Sequence, residues 1–264
     1  MKHQTNPTHI LFALLAVLAL ALTACGSGGG GGAATQAPIV PVVPTQGENN
    51  VSTPPQTISK NLQLDPANAA DADSLFIISY VYDGLFKVEN GVIVPVLAES
   101  YTIANDGLDY IIVLRKNVTF HDGSPMNADA VIANFDRWFQ KENPAHGSGA
   151  YAAWVASFGG FQGEKDANGK PTCVVDGFEK GDEYTVLVHL NAADPMFVAK
   201  LVNPAFSVVS PAALSAGNFG TMQGKVSGTG RYQVSAWTDA GMTLTPYSGF
   251  WGTLATGNLE FQFK

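Results

Sequence analysis

Three histidines stand in the body of the chain, His121, His146 and His189, with His3 and His9 near its start. Zinc on a helix needs ligands four residues apart, as in H-E-x-x-H, and no pair of these histidines has that spacing. No G-x-S-x-G elbow presents a serine nucleophile. His121-Asp122 has the residue types of a base and its orienting acid. It sits, however, in His121-Asp122-Gly123-Ser124-Pro125, a turn sequence in which such side chains hydrogen-bond to backbone. Gly228-Thr229-Gly230 lacks the third glycine of a dinucleotide loop, and the glycine run 28–32 has neither a strand before it nor a helix after it. His189 alternates along a strand-like stretch, as a surface or satisfied core residue does. No catalytic residue, metal ligand or cofactor site is therefore expected.

Cysteine chemistry points elsewhere. Lys2, His3 and His9 precede an unbroken apolar run from Ile10 to Leu22, thirteen residues long. Such a run suits the apolar core of a signal peptide and falls short of the roughly 20 residues that span a bilayer. It ends in Leu22-Thr23-Ala24-Cys25, which resembles the bacterial lipobox, where small residues admit a peptidase and the cysteine carries lipid. An ordinary cleaved signal peptide is the alternative, and it leaves the position of Cys25 unexplained. Beyond Cys25, the glycine run and then Pro38, Pro41, Pro44, Pro54 and Pro55 make a flexible and then extended tether that cannot bury a core. Residues 1–24 are thus expected to be a lipoprotein signal and 25–56 a tether, placing the rest outside the cytoplasm on a lipid anchor. Cys173 is left as the lone thiol, either a small buried hydrophobe or a reactive or intermolecular group.

Roughly 210 residues remain for folding, enough for one large domain or two small lobes. The formal charge is -8, and the signal carries Lys2 but no acid. Nucleic acid is excluded as a partner, because phosphate binding needs a basic surface.

The elements read as a mixture of strands and helices. Thr57 to Leu64 alternates as a first strand, broken by Leu64-Asp65-Pro66. Asp73 or Ser74 is placed to cap a helix through Leu75, Ile78, Tyr82 and Leu85. Asn90-Gly91 turns a hairpin between 86–88 and 92–94, and Asn105-Asp106-Gly107 turns another between 100–103 and 110–114. Asn127 caps a helix whose Val131, Phe135 and Trp138 share a face. Strands are expected at 184–190, 206–209, 232–237, 242–246 and 258–263, with a short helix at 195–202. Regular βαβ spacing is missing, so the class is α/β of the mixed α+β kind.

Several segments then fall in a recognisable order: Val81-Tyr82-Asp83-Gly84-Leu85, Leu97-Ala98-Glu99-Ser100-Tyr101, and Asn105-Asp106-Gly107-Leu108-Asp109-Tyr110. Leu114-Arg115-Lys116-Asn117-Val118-Thr119-Phe120-His121-Asp122-Gly123-Ser124-Pro125-Met126-Asn127-Ala128-Asp129-Ala130-Val131 follows, and later Gly228-Thr229-Gly230-Arg231-Tyr232 and Gly249-Phe250-Trp251-Gly252. Together they resemble the extracytoplasmic solute-binding proteins of peptide, oligopeptide and nickel ABC transporters, family 5. Arg231 stands where that family usually has Pro.

The resemblance implies lobe I of a two-lobed, type II periplasmic-binding-protein-like fold. Its sheet would come from 57–75 and 207–264, with an inserted subdomain at 76–206. It also implies that lobe II is absent and the chain truncated, a complete one-lobe protein being the alternative. On the same ground, Ala70, Asp71 and Ser74 would face ligand, as would Trp154, Asn203 and Phe206. Three of them have plainer readings: Asp71, like Asp73, as a helix-capping acid, Trp154 as core and Phe206 as part of the sheet. The implied role is capture of a peptide-like or other small solute for the permease subunits of an ABC importer. An exported hydrolase or a non-transport interaction lipoprotein are the alternatives.

Overall fold

The computed structural model describes residues 56–264. The expected signal segment, Cys25 and nearly all of the tether lie outside the described residues.

In chain order, β1 (Gln56–Ile58) leads to α1 (Ala72–Val81), and then to the hairpin β2 (Phe86–Glu89) and β3 (Val92–Pro95). Next come β4 (Ala98–Ala104), β5 (Asp109–Leu114), α2 (Ala128–Phe139) and α3 (Ala152–Phe158). β6 (Val175–Asp182), β7 (Thr185–Leu190), α4 (Phe197–Lys200) and α5 (Pro211–Leu214) follow. β8 (Tyr232–Trp237), β9 (Gly241–Pro246) and β10 (Leu259–Phe263) complete the series. One four-stranded sheet has the order β1-β10-β9-β8, with β1 parallel to β10 and the other pairs antiparallel. A second, wholly antiparallel, has the order β4-β5-β7-β6.

Local sequence explains many of these elements. Asn90 (φ 51°) and Gly91 (φ 77°) take the left-handed conformations that a two-residue hairpin turn requires. Asn127 Oδ1 accepts the Ala130 amide at 3.1 Å and starts α2. Val131, Phe135 and Trp138 are all buried on one face of that helix.

Elsewhere distant partners decide. The first strand is only three residues long, because the Ser59 amide bonds Asp73 Oδ2 and the Gln63 amide bonds Ser74 Oγ, both at 2.8 Å, in place of a ladder. Asp71, not Asp73 or Ser74, caps α1, taking the Ser74 amide at 2.8 Å. The helix stops at Val81, since Tyr82 is already extended, and Leu85 lies beyond it. Residues 206–209 form no strand: a 3-10 turn, Pro204–Phe206, runs into an extended stretch paired with a side chain. Asn134 Nδ2 donates to Val209 O (2.7 Å) while its Oδ1 accepts the Val209 amide (3.0 Å). β6 escapes sequence reading because it is an edge strand interrupted by Gly177 and Gly181, with no alternation.

Two apolar cores result. Ile77, Ile78 and Val81 of α1 pack with Ile58, Met242, Leu244 and Phe261 of the first sheet. Ile112, Leu114, Val186 and Val188 of the second sheet pack with Val131, Phe135 and Trp138 of α2. A boundary at 75/76 would cut through α1. The chain passes from one core to the other beside Asp83, whose carbonyl accepts the Val208 amide at 2.9 Å.

Candidate functional site: a seam between two loops

The loop after β1 is organised around Asp65. Its Oδ1 accepts the Ala67 amide (3.1 Å) and an Arg137 Nη2 donor (2.6 Å), and its Oδ2 accepts from Asn68 Nδ2 (2.7 Å). Arg137 comes from α2, so this ion pair joins the two cores. The guanidinium is fully buried, sandwiched near Phe219 (4.7 Å) and Tyr151 (5.4 Å). Its Nε and Nη1, like the Tyr82 hydroxyl, find no hydrogen-bond partner among the described residues. Burying a charge without full satisfaction is costly, so Asp65 is indispensable to Arg137.

A second strut lies alongside. Asn68 Oδ1 accepts the Tyr151 amide at 3.3 Å. Tyr151 stacks on His146 (centroids 4.0 Å apart) and donates its hydroxyl to the His146 carbonyl at 2.9 Å. A Cβ on Gly149 would fall 2.3 Å from Asn68 Oδ1, so a larger residue there would have to push the Asn68 side chain aside. Ala70, Asp71, Gly147, Ser148 and Ala150 remain exposed along the seam. Sequence reasoning missed residues 147–150; the signal was Gly147-Ser148-Gly149, a small-residue run just before Tyr151.

The six expected ligand residues separate into two groups. Ala70 and Asp71 are exposed at the seam, while Ser74 is fully buried and spends its Oγ on the Gln63 amide. Trp154 is 1 % exposed; its indole donates to Gly160 O at 2.9 Å and its ring packs on Phe158 and Phe206. Phe206, 2 % exposed, lies in the same aromatic core, so neither ring offers a face to solvent. Asn203 is exposed and accepts the Ala205 amide at 3.0 Å as a cap. The Phe206 carbonyl approaches Gly84, at the far end of α1 from Asp71, so Phe206 stands apart from the Ala70–Asp71 edge.

The residues considered for catalysis are otherwise engaged. His121 Nε2–H donates to Gly230 O (2.9 Å), and its Nδ1 accepts the Gly228 amide (3.4 Å). Burial pushes its pKa below the usual histidine value. Burial alone would raise Asp122, but hydrogen bonds from Ser124 and Ser210 together hold its carboxyl low. These two side chains clamp the 121–125 turn onto the 227–230 segment. His189 is half-buried with Nδ1 2.8 Å from Asp109. Cys173 is buried, and burial pushes its thiol up to about 11, so it packs as a hydrophobe.

A concavity of about 490 Å³ opens at the carboxyl end of α1, lined by Asp83, Arg115, Arg231, Phe250 and Trp251 among others. Asp83 Oδ2 accepts from Thr229 Oγ1 (3.0 Å) and Trp251 Nε1 (3.3 Å), while burial pushes its carboxyl above the usual value. Sequence reading marked Arg231 and Gly249–Gly252 only as motif residues, because their convergence on Asp83 depends on the tertiary fold.

Comparison with known proteins adds the lineage. The model of bacterial extracellular solute-binding proteins, family 5 Middle, matches residues 92–262. The glutathione-binding protein GsiB of Pectobacterium atrosepticum is 34% identical over 191 residues, covering 71% of this chain and 33% of that relative. Among solved structures, the periplasmic binding protein DppA from Helicobacter pylori, in complex with peptide STSA, aligns with TM-score 0.65 and 25% identity. HbpA2 from Haemophilus parasuis aligns with TM-score 0.65 and 27% identity. Each alignment covers 79% of this chain and 42% of the other. The chain spans about a third of the length of the curated relatives it matches. With the family model covering most of the described residues, the chain belongs to the bacterial extracellular solute-binding proteins, family 5.

Proposed function

We propose that this chain supplies one wall of a receptor that captures a peptide-like or other small solute outside the cytoplasm and presents it to the permease of an ABC importer. The observation that carries this reading is the family match over residues 92–262. The relatives named as a glutathione-binding protein and a peptide-bound DppA point to a short peptide as ligand class. Ala70 and Asp71 contact the solute at the exposed seam, where Gly147, Ser148 and Ala150 are also exposed. Ser74 fixes the loop from beneath, while Trp154 and Phe206 pack against each other in the aromatic core. Asn203 acts as a cap behind that core.

Lipid on Cys25 holds the receptor at the membrane, a reading supported by Leu22-Thr23-Ala24-Cys25 after its apolar run. Metabolic labelling with palmitate tests it: label should enter the protein in cells and be lost in Cys25→Ala.

For the receptor role, the full chain is titrated with glutathione and with short peptides while thermal unfolding is followed. Binding should stabilise by about 3 kcal/mol at a hundredfold excess over Kd, with the ligand recovered intact. No shift with any of these, together with hydrolysis of an ester or peptide, would overturn the proposal.

A further inference from the structure

The cleft at the carboxyl end of α1 is separate from the seam, because the ten residues of that helix stand between Asp71 and Asp83, a rise of about 15 Å. Two cation–aromatic pairs build its wall. The Arg115 guanidinium lies 4.5 Å from the Trp251 ring centroid, and that of Arg231 lies 5.7 Å from Phe250. The two rings are themselves 5.3 Å apart.

Arg115 is fixed on two sides. Its Nε donates to Val96 O at 2.9 Å, and together with the ring contact this sets the guanidinium plane. No hydrogen bond among the described residues uses its two amino groups, which leaves a flat, doubly donating edge suited to a carboxylate.

Charge favours the same ligand. Lys87, Arg115 and Arg231 line the cleft against Asp83 and Glu89. Glu89 is paired with Lys87 at 3.0 Å, and Asp83 is held by Thr229 and Trp251. The cleft thus presents a cationic edge at Arg115 in a chain whose formal charge is -8. Val94, Pro95 and the Trp251 ring supply apolar wall, and about 490 Å³ is room for a small molecule.

We propose that this cleft is a second binding site, taking a small organic carboxylate whose anion pairs with Arg115 and whose apolar body lies against Trp251, Val94 and Pro95. The pairing is non-covalent and independent of solute capture at the seam.

Benzoate is a suitable probe and benzamide its neutral isostere. The full chain is titrated with each at constant ionic strength while tryptophan fluorescence is recorded, Trp251 being half-exposed beside the site. Benzoate should bind saturably and benzamide should not. Arg115→Gln should weaken benzoate at least about tenfold. Arg231→Gln, which leaves the Arg115–Val96 bond in place, should weaken it less, and thermal unfolding confirms that both variants are folded. Equal binding of benzamide, unchanged affinity in both variants, or no saturation up to about 20 mM benzoate would each overturn the proposal.

Discussion

Arg137 brings a positive charge into a site without solvent, and the Asp65 carboxylate is its sole ionic partner among the described residues. Removing the acid alone strands the cation, so Asp65→Ala should cost about 3–5 kcal/mol. Replacing both groups by apolar ones of similar size, Asp65→Leu with Arg137→Met, should cost less than the single change; urea unfolding of the three proteins decides this. At His121 the relevant variable is pH. Its ring is held neutral, donating through Nε2 and accepting at Nδ1, and burial lowers its pKa from the ordinary 6.5. Above that pH the imidazole is neutral in both folded and unfolded chains, and its contribution is intact. Below it the unfolded chain takes up a proton that the folded chain resists, so stability falls as pH drops from 6.5 toward the lowered folded value. Urea midpoints measured from about pH 8 to about pH 5 should decline, and His121→Gln should flatten part of that decline.

Between elements, side chains do work that backbone ladders usually do. Asn134 holds both polar groups of Val209 from within α2. Asn134→Ala should cost about 2–4 kcal/mol, because it leaves two buried backbone groups unpaired. Hydrogen exchange at the Val209 amide should accelerate in the same variant. The approach of α1 to the 228–230 segment is tighter still: a Cβ on Gly228 would lie 2.2 Å from Val81 O, and backbone cannot step aside as a side chain can. Gly228→Ala should therefore destabilise by about 2 kcal/mol or more, read as a lowered unfolding midpoint. These contacts mark the boundary of what the sequence reveals. The Asn90-Gly91 hairpin and the Asn127 cap were legible because their causes lie within a few residues. The early end of β1, the unpaired stretch after Phe206 and the edge strand β6 were not, since their partners stand far off in sequence or, for β6, the strand carries no periodicity. At the site the same rule held. Asp65-Pro66 marked the end of the first strand, but the loop bearing Ala70 and Asp71 was named only by family resemblance. The sealing of Trp154 by Phe206, added to that by Phe158, is set by a distant part of the chain.

At the scale of the whole molecule, exposed apolar side chains concentrate on the β2–β3 hairpin and β4, namely Val88, Val92, Ile93, Tyr101 and Ile103. β4 is also an edge of its sheet. An apolar edge invites association, so Ile93→Lys with Ile103→Lys should raise the concentration at which light scattering first detects oligomers. The same layout sets a timetable. Gln56 and Thr57 pair with Phe261 and Gln262, which are made about 200 residues later. A chain emerging from its amino end during synthesis exposes Ile77, Ile78 and Val81 long before Met242, Leu244 and Phe261 arrive to cover them. The sheet of β4 to β7, by contrast, has all its strands in hand by Leu190. Pulse-labelled refolding should accordingly protect Tyr110 and Val188 before Phe261. In the interval α1 is a greasy, uncovered helix, so the half-built chain stays open and prone to association until its last strand is in place.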